Sequence, residues 1–369
     1  MHVSRPRADN LNSLADALAR RRRPLSGVHP GKRRAAPYAG GMEWTSDVAA
    51  GDWLRDRLDD HLTASMHGVV PRGFPAYARI FHPAVRDRPV GLPWPPLPYG
   101  RHRREWDAFD RARPQIEDER VTWTEAAAGF GTTMHPLAQW HHLVGKHREV
   151  EGEDGPRDAA GWRYAAPAEG DLAADLVAVV AGHLSARTTT PDAGHVALWE
   201  GWGGLVGFYG ETPSRTFLTF TDDPDSDRHN AMLGRSISDS FNNVFRKPTW
   251  QPGILPDEVS KGPRLALPGR DHILFRGGVA ELAGADWVLG VPWRDREAEA
   301  HGFPPQAQSP SLIWPDDRAW VLVTEVDFDS TIVAGSRDLI AQLTADPRLE
   351  ALPIPAGADL TWDGDPVNR

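Results

Sequence analysis

Three carboxylates, Glu325, Asp327 and Asp329, stand at alternate positions in the run TEVDFDSTIVAGS. In a strand, alternate side chains point to one face of the sheet, roughly 6–7 Å apart at about 3.3 Å of rise per residue. Three anions this close repel unless a positive charge answers them, and clustered carboxylates suit Mg²⁺, Ca²⁺ or Mn²⁺. The spacing therefore predicts a divalent-cation site, and with it a metal-dependent hydrolase. The alternative is that arginines elsewhere in the fold pair with these carboxylates, or that this end of the strand faces water.

Glu200 is a second residue that could do chemistry, because it stands between Trp199 and Trp202. A carboxylate among aromatic side chains can act as a general acid, and tryptophan rings stack on sugars. We therefore hold a carbohydrate-binding or carbohydrate-active protein as a further hypothesis, with Trp199, Glu200 and Trp202 as ligand-binding residues. A glutamate at the exposed end of a strand explains the same pattern without a ligand.

Four histidines, His135, His141, His142 and His147, fall within thirteen residues. A pair of zinc ligands on one helix needs a spacing of three or four residues. The successive gaps here are six, one and five. The spacing therefore predicts hydrogen-bonded or exposed histidines, not a zinc site.

Two further classes of site are excluded by residue type. The chain contains no cysteine, which excludes disulfides, thiolate catalysis and cysteine-ligated metal centres. The glycines of GWGGLVG (201–207) miss the dinucleotide-binding pattern, because Val206 occupies the position of its last glycine. No cofactor is predicted apart from the divalent cation.

The elements that would position these residues read as an α+β fold with a predominantly antiparallel sheet and helices mainly in the N-terminal half. A helix from Thr45 or Ser46 to Met66 and a helix over 336–345 capped by Ser336 show apolar residues at helical spacing. A further helix is expected over 136–147. Alternating or short apolar runs predict strands at 77–82, 195–200, 215–221, 272–276, 319–328 and 331–334.

Charge divides the chain unevenly. Residues 1–41 carry a net charge of +7, and the remainder carries −17. Low hydrophobicity and like charge predict a disordered basic arm over 1–41, or a start-site artefact with Met42 as the true first residue. We expect one α+β domain over 42–369, with a subdivision near residue 190 left open. An acidic body disfavours nucleic acid as a partner except through the arm.

The segment GLPWPPLPYG (Gly91–Gly100) has the composition of a polyproline stretch. We predict a rigid connector packed on the body, and the alternative is a ligand for an aromatic groove. The chain also contains fifteen tryptophans, most of which should be core anchors. No apolar run is long enough to span a bilayer.

The segments YARIFHPA (77–84), SLIWPDDRAW (311–320), TEVDFDSTIVAGS (324–336), DPRLEALP (346–353) and DPVN (365–368) resemble a family of actinobacterial hypothetical proteins. The resemblance covers 43–369 and contributes no catalytic residue, since that family has no assigned function. No nucleophile–base pair passes a spacing test. The sequence therefore favours a cytoplasmic binding or interaction protein with a protein partner and no chemistry of its own, ahead of the hydrolase and carbohydrate hypotheses.

Overall fold

The computed structural model describes residues 41–60, 65–145, 155–211, 215 and 247–369. In these residues the strands are β1 (Glu43–Trp44), β2 (Ala76–Phe81), β3 (Ala84–Pro89), β4 (Ile116–Val121), β5 (Arg163–Ala165), β6 (Gly194–Trp199), β7 (Phe208–Gly210), β8 (Thr249–Gln251), β9 (Leu265–Leu267), β10 (Arg270–Arg276), β11 (Leu312–Pro315), β12 (Val321–Val323), β13 (Ser330–Gly335) and β14 (Ala351–Ile354). The α-helices are α1 (Asp52–Arg55), α2 (Arg103–Ala112), α3 (Trp123–Phe130), α4 (Trp140–Leu143), α5 (Ala174–Ser185), α6 (Asp257–Ser260), α7 (Arg296–Ala300) and α8 (Arg337–Ala345).

A nine-stranded antiparallel sheet is the centre of the fold. Its strand order is β1-β10-β6-β11-β12-β13-β2-β14, and β9 pairs with β10. Smaller antiparallel sheets are formed by β4-β3-β5 and by β7-β8. The predicted α+β class and antiparallel sheet are confirmed. The helices are not clearly N-terminal: of the eight α-helices in the described residues, five end by residue 185, but α6, α7 and α8 follow residue 256.

Alternating side chains give the large sheet two apolar faces. Val196 and Leu198 of β6 belong to the core on one face, and Ala197 between them belongs to the core on the other. Helix α8 packs on the first face, and its N-terminus begins where the sequence predicts, because the Ser336 hydroxyl accepts from the N–H of Leu339 at 3.2 Å. The period of two along the strands thus determines both layers of the core.

The sheet β4-β3-β5 was not predicted from the sequence. Strand β4 reads IEDERV and β3 reads AVRDRP, so charged residues occupy both faces and hide the alternation. Beneath this sheet, α3 and α4 form a separate apolar cluster with Trp123, Trp140 and Tyr164.

Several predicted elements are shorter than expected. The predicted strand 319–328 is extended only over β12, and the chain then turns, with the N–H of Phe328 donating to the carbonyl of Glu325 at 3.0 Å. A turn that contains Val326 and Phe328 keeps the apolar alternation of a strand, which is why the sequence pattern did not reveal it. Over 136–147, α-helix is found only in α4 among the described residues.

Other predictions fall partly outside the described residues. The predicted helix from Thr45 or Ser46 to Met66 is helical over 48–55, and residues 61–64 lie outside the description. Of the predicted strand 215–221, only Arg215 is described. Residues 1–40 are also outside the described part, so the basic arm stays a prediction.

Candidate functional site

The three carboxylates predicted as a cation site lie in and just after the turn between β12 and β13. Glu325 is buried, whereas the side chain of Asp327 is 74% exposed and that of Asp329 is 20% exposed. The turn replaces the extended backbone on which the prediction rested, so the three side chains do not share a strand face. Each carboxylate meets an arginine.

Arg270, at the start of β10, forms ion pairs with two of the carboxylates. Its Nε donates to Glu325 Oε1 at 3.0 Å, and its Nη2 donates to Asp327 Oδ2 at 2.5 Å. Burial raises the pKa of Glu325, and the positive charge of Arg270 opposes that rise. The guanidinium carbon also lies 5.5 Å from the centre of the Trp199 ring. Arg270 therefore connects the predicted cation site to the predicted sugar site.

Arg79 of β2 holds the third carboxylate and is itself only 1% exposed. Its Nη2 donates to Asp329 Oδ1 at 3.2 Å, its Nε to the Ser330 hydroxyl at 2.8 Å, and its Nη1 to the carbonyl of Ala138 at 2.7 Å. Burial lowers the pKa of Arg79 and raises that of Asp329, and the opposite charge of each opposes the shift of the other. A buried arginine of this kind requires its carboxylate partner.

The three carboxylates of this turn thus pair with arginines, which is the alternative to a cation site that the sequence analysis gave. Within the described ranges, no three His, Asp or Glu side chains are grouped so that they could hold a metal ion. Glu169 lies near the turn and forms no ion pair within those ranges; partial burial, followed by the charges of Asp329 and Asp327, raises its pKa. A divalent cation at Glu325, Asp327 and Asp329 stays a prediction.

Buried hydroxyls and a histidine form a relay at the same end of the large sheet. The Thr324 and Thr331 hydroxyls are 2.9 Å apart, and the Thr331 hydroxyl is 2.9 Å from His82 Nε2. His82 Nδ1 lies 2.6 Å from the carbonyl of Ala168, which only accepts, so Nδ1 carries the proton and Nε2 accepts from Thr331. Burial lowers the pKa of His82 to about 4. Because both threonines are buried, the relay satisfies polar groups of the core and offers no exposed nucleophile.

A small cleft opens beside this relay, lined by Arg270, His272, Thr324 and Glu325 together with aliphatic side chains. Its cavity volume is about 20 Å³, which is room for about one water molecule. Burial lowers the pKa of His272 to about 4, so its imidazole is neutral at pH 7. The cleft as it stands is too small to bury an organic substrate.

The residues of the predicted sugar site lie together but do not form a flat platform. The Trp199 and Trp202 rings meet edge to face, with centroids 5.7 Å apart and an interplanar angle of 76°. Glu200 Oε2 accepts from Arg264 Nε at 2.8 Å. Trp202 packs on Gly170, where φ is +65° and an added Cβ would lie 2.9 Å from the ring. Binding of a sugar at these residues stays a prediction.

A histidine–aspartate cluster was not foreseen from the spacing of the histidines. His135 Nε2 lies 2.8 Å from Asp365 Oδ1, and His142 Nδ1 lies 3.9 Å from Asp365 Oδ2. The N–H of Leu137 donates to His135 Nδ1, so the proton of His135 is on Nε2 and points at Asp365. Burial opposes a low pKa of Asp365, but hydrogen bonds from Asn368, Val367 and His135 lower it. The cluster connects 365–368 to 133–142 across more than 200 residues of sequence, and the spacing of the histidines gave no sign of it.

Exposed apolar side chains concentrate on one short part of the chain. Of the eleven large apolar residues that the described structure exposes, five lie between residues 85 and 99, at 38% to 45% exposure. We call them the 85–99 surface: Val85, Val90, Leu92, Leu97 and Tyr99. For the proline-rich segment the sequence left a ligand for an aromatic groove as the alternative, but it did not identify these apolar side chains as exposed.

An aromatic cluster joins the proline-rich segment to helix α2. Trp94 is buried, and its ring centroid lies 5.3 Å from that of Phe109 and 6.4 Å from that of Trp106 on α2. The Tyr99 ring lies 6.0 Å from the Trp106 ring. These ring contacts pack α2 against the proline-rich segment.

Comparison with known proteins adds no assignment: no family model, curated protein or solved structure matches the chain. No helix in the described part of the chain combines the length and apolar character needed to cross a membrane.

Proposed function

We propose that this protein is a binding or interaction protein without chemistry of its own, and that it meets its partner through the 85–99 surface. The observation that carries the proposal is that, in the part of the chain that the structure describes, five of the eleven exposed large apolar residues fall within fifteen positions of the sequence. Single exposed apolar residues are ordinary on a protein surface, whereas grouped ones mark interaction sites. Aromatic residues are enriched at interfaces, and Tyr99 of this group is one.

The site chemistry supports the same proposal. The carboxylates that would serve a hydrolase accept from Arg270 and Arg79, and the threonines of the His82 relay are buried. The cleft beside them has room for about one water molecule. The hydrolase and carbohydrate hypotheses stay predictions, and neither has an observation that favours it over binding.

Site-specific photo-crosslinking tests the proposal. Benzoylphenylalanine would replace Leu97 in the full chain, and Leu289 is the matched control, because the two side chains are 43% and 44% exposed. We expect a discrete crosslinked product in the source cells from position 97 that is absent from position 289. The same products from both positions, or none from position 97, would overturn the proposal. Thermal melting of both variants shows whether either replacement disturbs the fold.

A further inference from the structure

The proline-rich segment 91–100 is fastened to the body at two central residues. Trp94 and Pro95 are both buried. The guanidinium carbon of Arg163 lies 3.8 Å from the centre of the Trp94 ring, and Arg157 Nη1 donates to the carbonyl of Pro95 at 2.7 Å. These contacts order the segment before any partner arrives, which lowers the entropy cost of binding.

The residues on either side of these anchors face outward. Pro93 and Pro96 are exposed and stand three residues apart, the repeat of a polyproline II helix, and no helix, strand or turn is assigned over 93–96. Leu92 and Leu97 flank them at 43% exposure each. Trp106 Nε1 donates to the carbonyl of Pro96 at 3.1 Å and holds this end of the run. The next peptide bond, between Leu97 and Pro98, is cis.

Basic residues follow the exposed prolines. Arg101, Arg103 and Arg104 are all exposed, and within the described chain none of them forms an ion pair. The chain after residue 41 carries a net charge of −17, so three neighbouring exposed arginines form a local group of positive charge on an acidic chain. Such a group is complementary to an acidic rim.

We propose that Gly91–Arg104 is a docking element for a partner protein whose groove is lined by aromatic side chains and bordered by acidic ones. Aromatic grooves accept extended Pro-x-x-Pro segments, and Pro93-Trp94-Pro95-Pro96 presents its two outer prolines in that register. Leu92 and Leu97 add apolar contacts beside the prolines, and the arginines meet the acidic rim. The inference rests on the proposed function and specifies the class of partner.

The test measures binding of the full chain to a panel of purified SH3, WW and EVH1 domains, which are aromatic-groove modules for proline-rich segments. The variant carries Pro93→Ala and Pro96→Ala, and the matched control carries Pro304→Ala and Pro305→Ala, two prolines that are also exposed. We expect at least one domain to bind the original chain. That domain should bind the Pro93/Pro96 variant about tenfold more weakly than the original chain, and it should bind the control variant with unchanged affinity. No binding across the panel, or equal binding by both variants, would overturn the inference.

A charge variant separates the contribution of the arginines. Arg101→Gln, Arg103→Gln and Arg104→Gln together should weaken binding and reduce its dependence on salt, because they remove the charges that meet the rim. A salt dependence identical to that of the original chain would count against the acidic rim. If position 97 crosslinks a partner in cells while the panel shows no binding, the interaction function stands and this class of partner is rejected. If the crosslinked partner is a second copy of the chain, the aromatic-groove class is rejected as well.

Discussion

Arg79→Met should lower the free energy of unfolding by roughly 3–5 kcal/mol, because it leaves the carboxylate of Asp329 without its arginine in a largely buried site. Arg79 is 1% exposed and donates to Asp329, to Ser330 and to the carbonyl of Ala138. Methionine fills much of the same volume without the charge. The side chain of Asp329 retains 20% exposure, which places the expected loss at the lower end of this range.

A double-mutant cycle measures the pair directly. Asp329→Asn alone should also destabilise, because it leaves the guanidinium of Arg79 buried without a counter-charge. The double variant should lose less than the sum of the two single variants, with a coupling of about 1–3 kcal/mol. The control is Arg120→Met, whose partner Asp175 forms an exposed ion pair worth less than about 1 kcal/mol.

Urea unfolding followed by tryptophan fluorescence gives these free energies, and repeating it with Mg²⁺, Mn²⁺ and Ca²⁺ tests the cation site at the same time. A loss below about 1 kcal/mol for Arg79→Met, or additive single variants, would refute the reasoning. Stabilisation by a cation that Asp329→Asn and Asp327→Ala both abolish would show instead that these carboxylates bind metal. An ion-pair role predicts no such stabilisation.

Three further predictions follow from the fold. Burial lowers the pKa of His82 to about 4, so the unfolded chain binds this proton before the folded chain does, and stability falls as the pH drops from about 6.5 to about 4. The free energy of unfolding in urea should therefore differ less between pH 7 and pH 4.5 in the His82→Gln variant, by about 2–3 kcal/mol. Gly170→Ala should lower the free energy of unfolding by about 2–4 kcal/mol, because φ is +65° and the new Cβ would lie 2.6 Å from the backbone of Val326. The control is Gly131→Ala, at φ +70° in open space, which should lower it by only about 1 kcal/mol; thermal melts compare the two variants. Asp365→Asn should lose roughly 2–3 kcal/mol in urea unfolding, because its amide cannot accept all the N–H donors that the carboxylate satisfies; an unchanged midpoint would contradict the role of the histidine–aspartate cluster.

Local pattern was sufficient for the strongly periodic elements. The strands at β2, β6, β10 and β13 lie close to their predicted ranges, and helix α8 begins after Ser336 as its cap predicts. Alternation and capping depend on neighbouring residues, so they can be read from the chain alone. The same is true of the α+β class, the exclusion of cysteine chemistry and the uneven charge of the arm and the body.

Long-range pairing decided the meaning of the candidate sites. Glu325 and Asp327 form ion pairs with Arg270, which is 55 and 57 residues away in the sequence, and Asp329 forms an ion pair with Arg79, 250 residues away. The contact of His135 with Asp365 spans 230 residues. Sequence spacing carries no information about such partners, because strand order in the sheet brings them together. The sequence thus determines which side chains are charged. The tertiary fold determines which partner neutralises each charge, and therefore whether that side chain is available for chemistry.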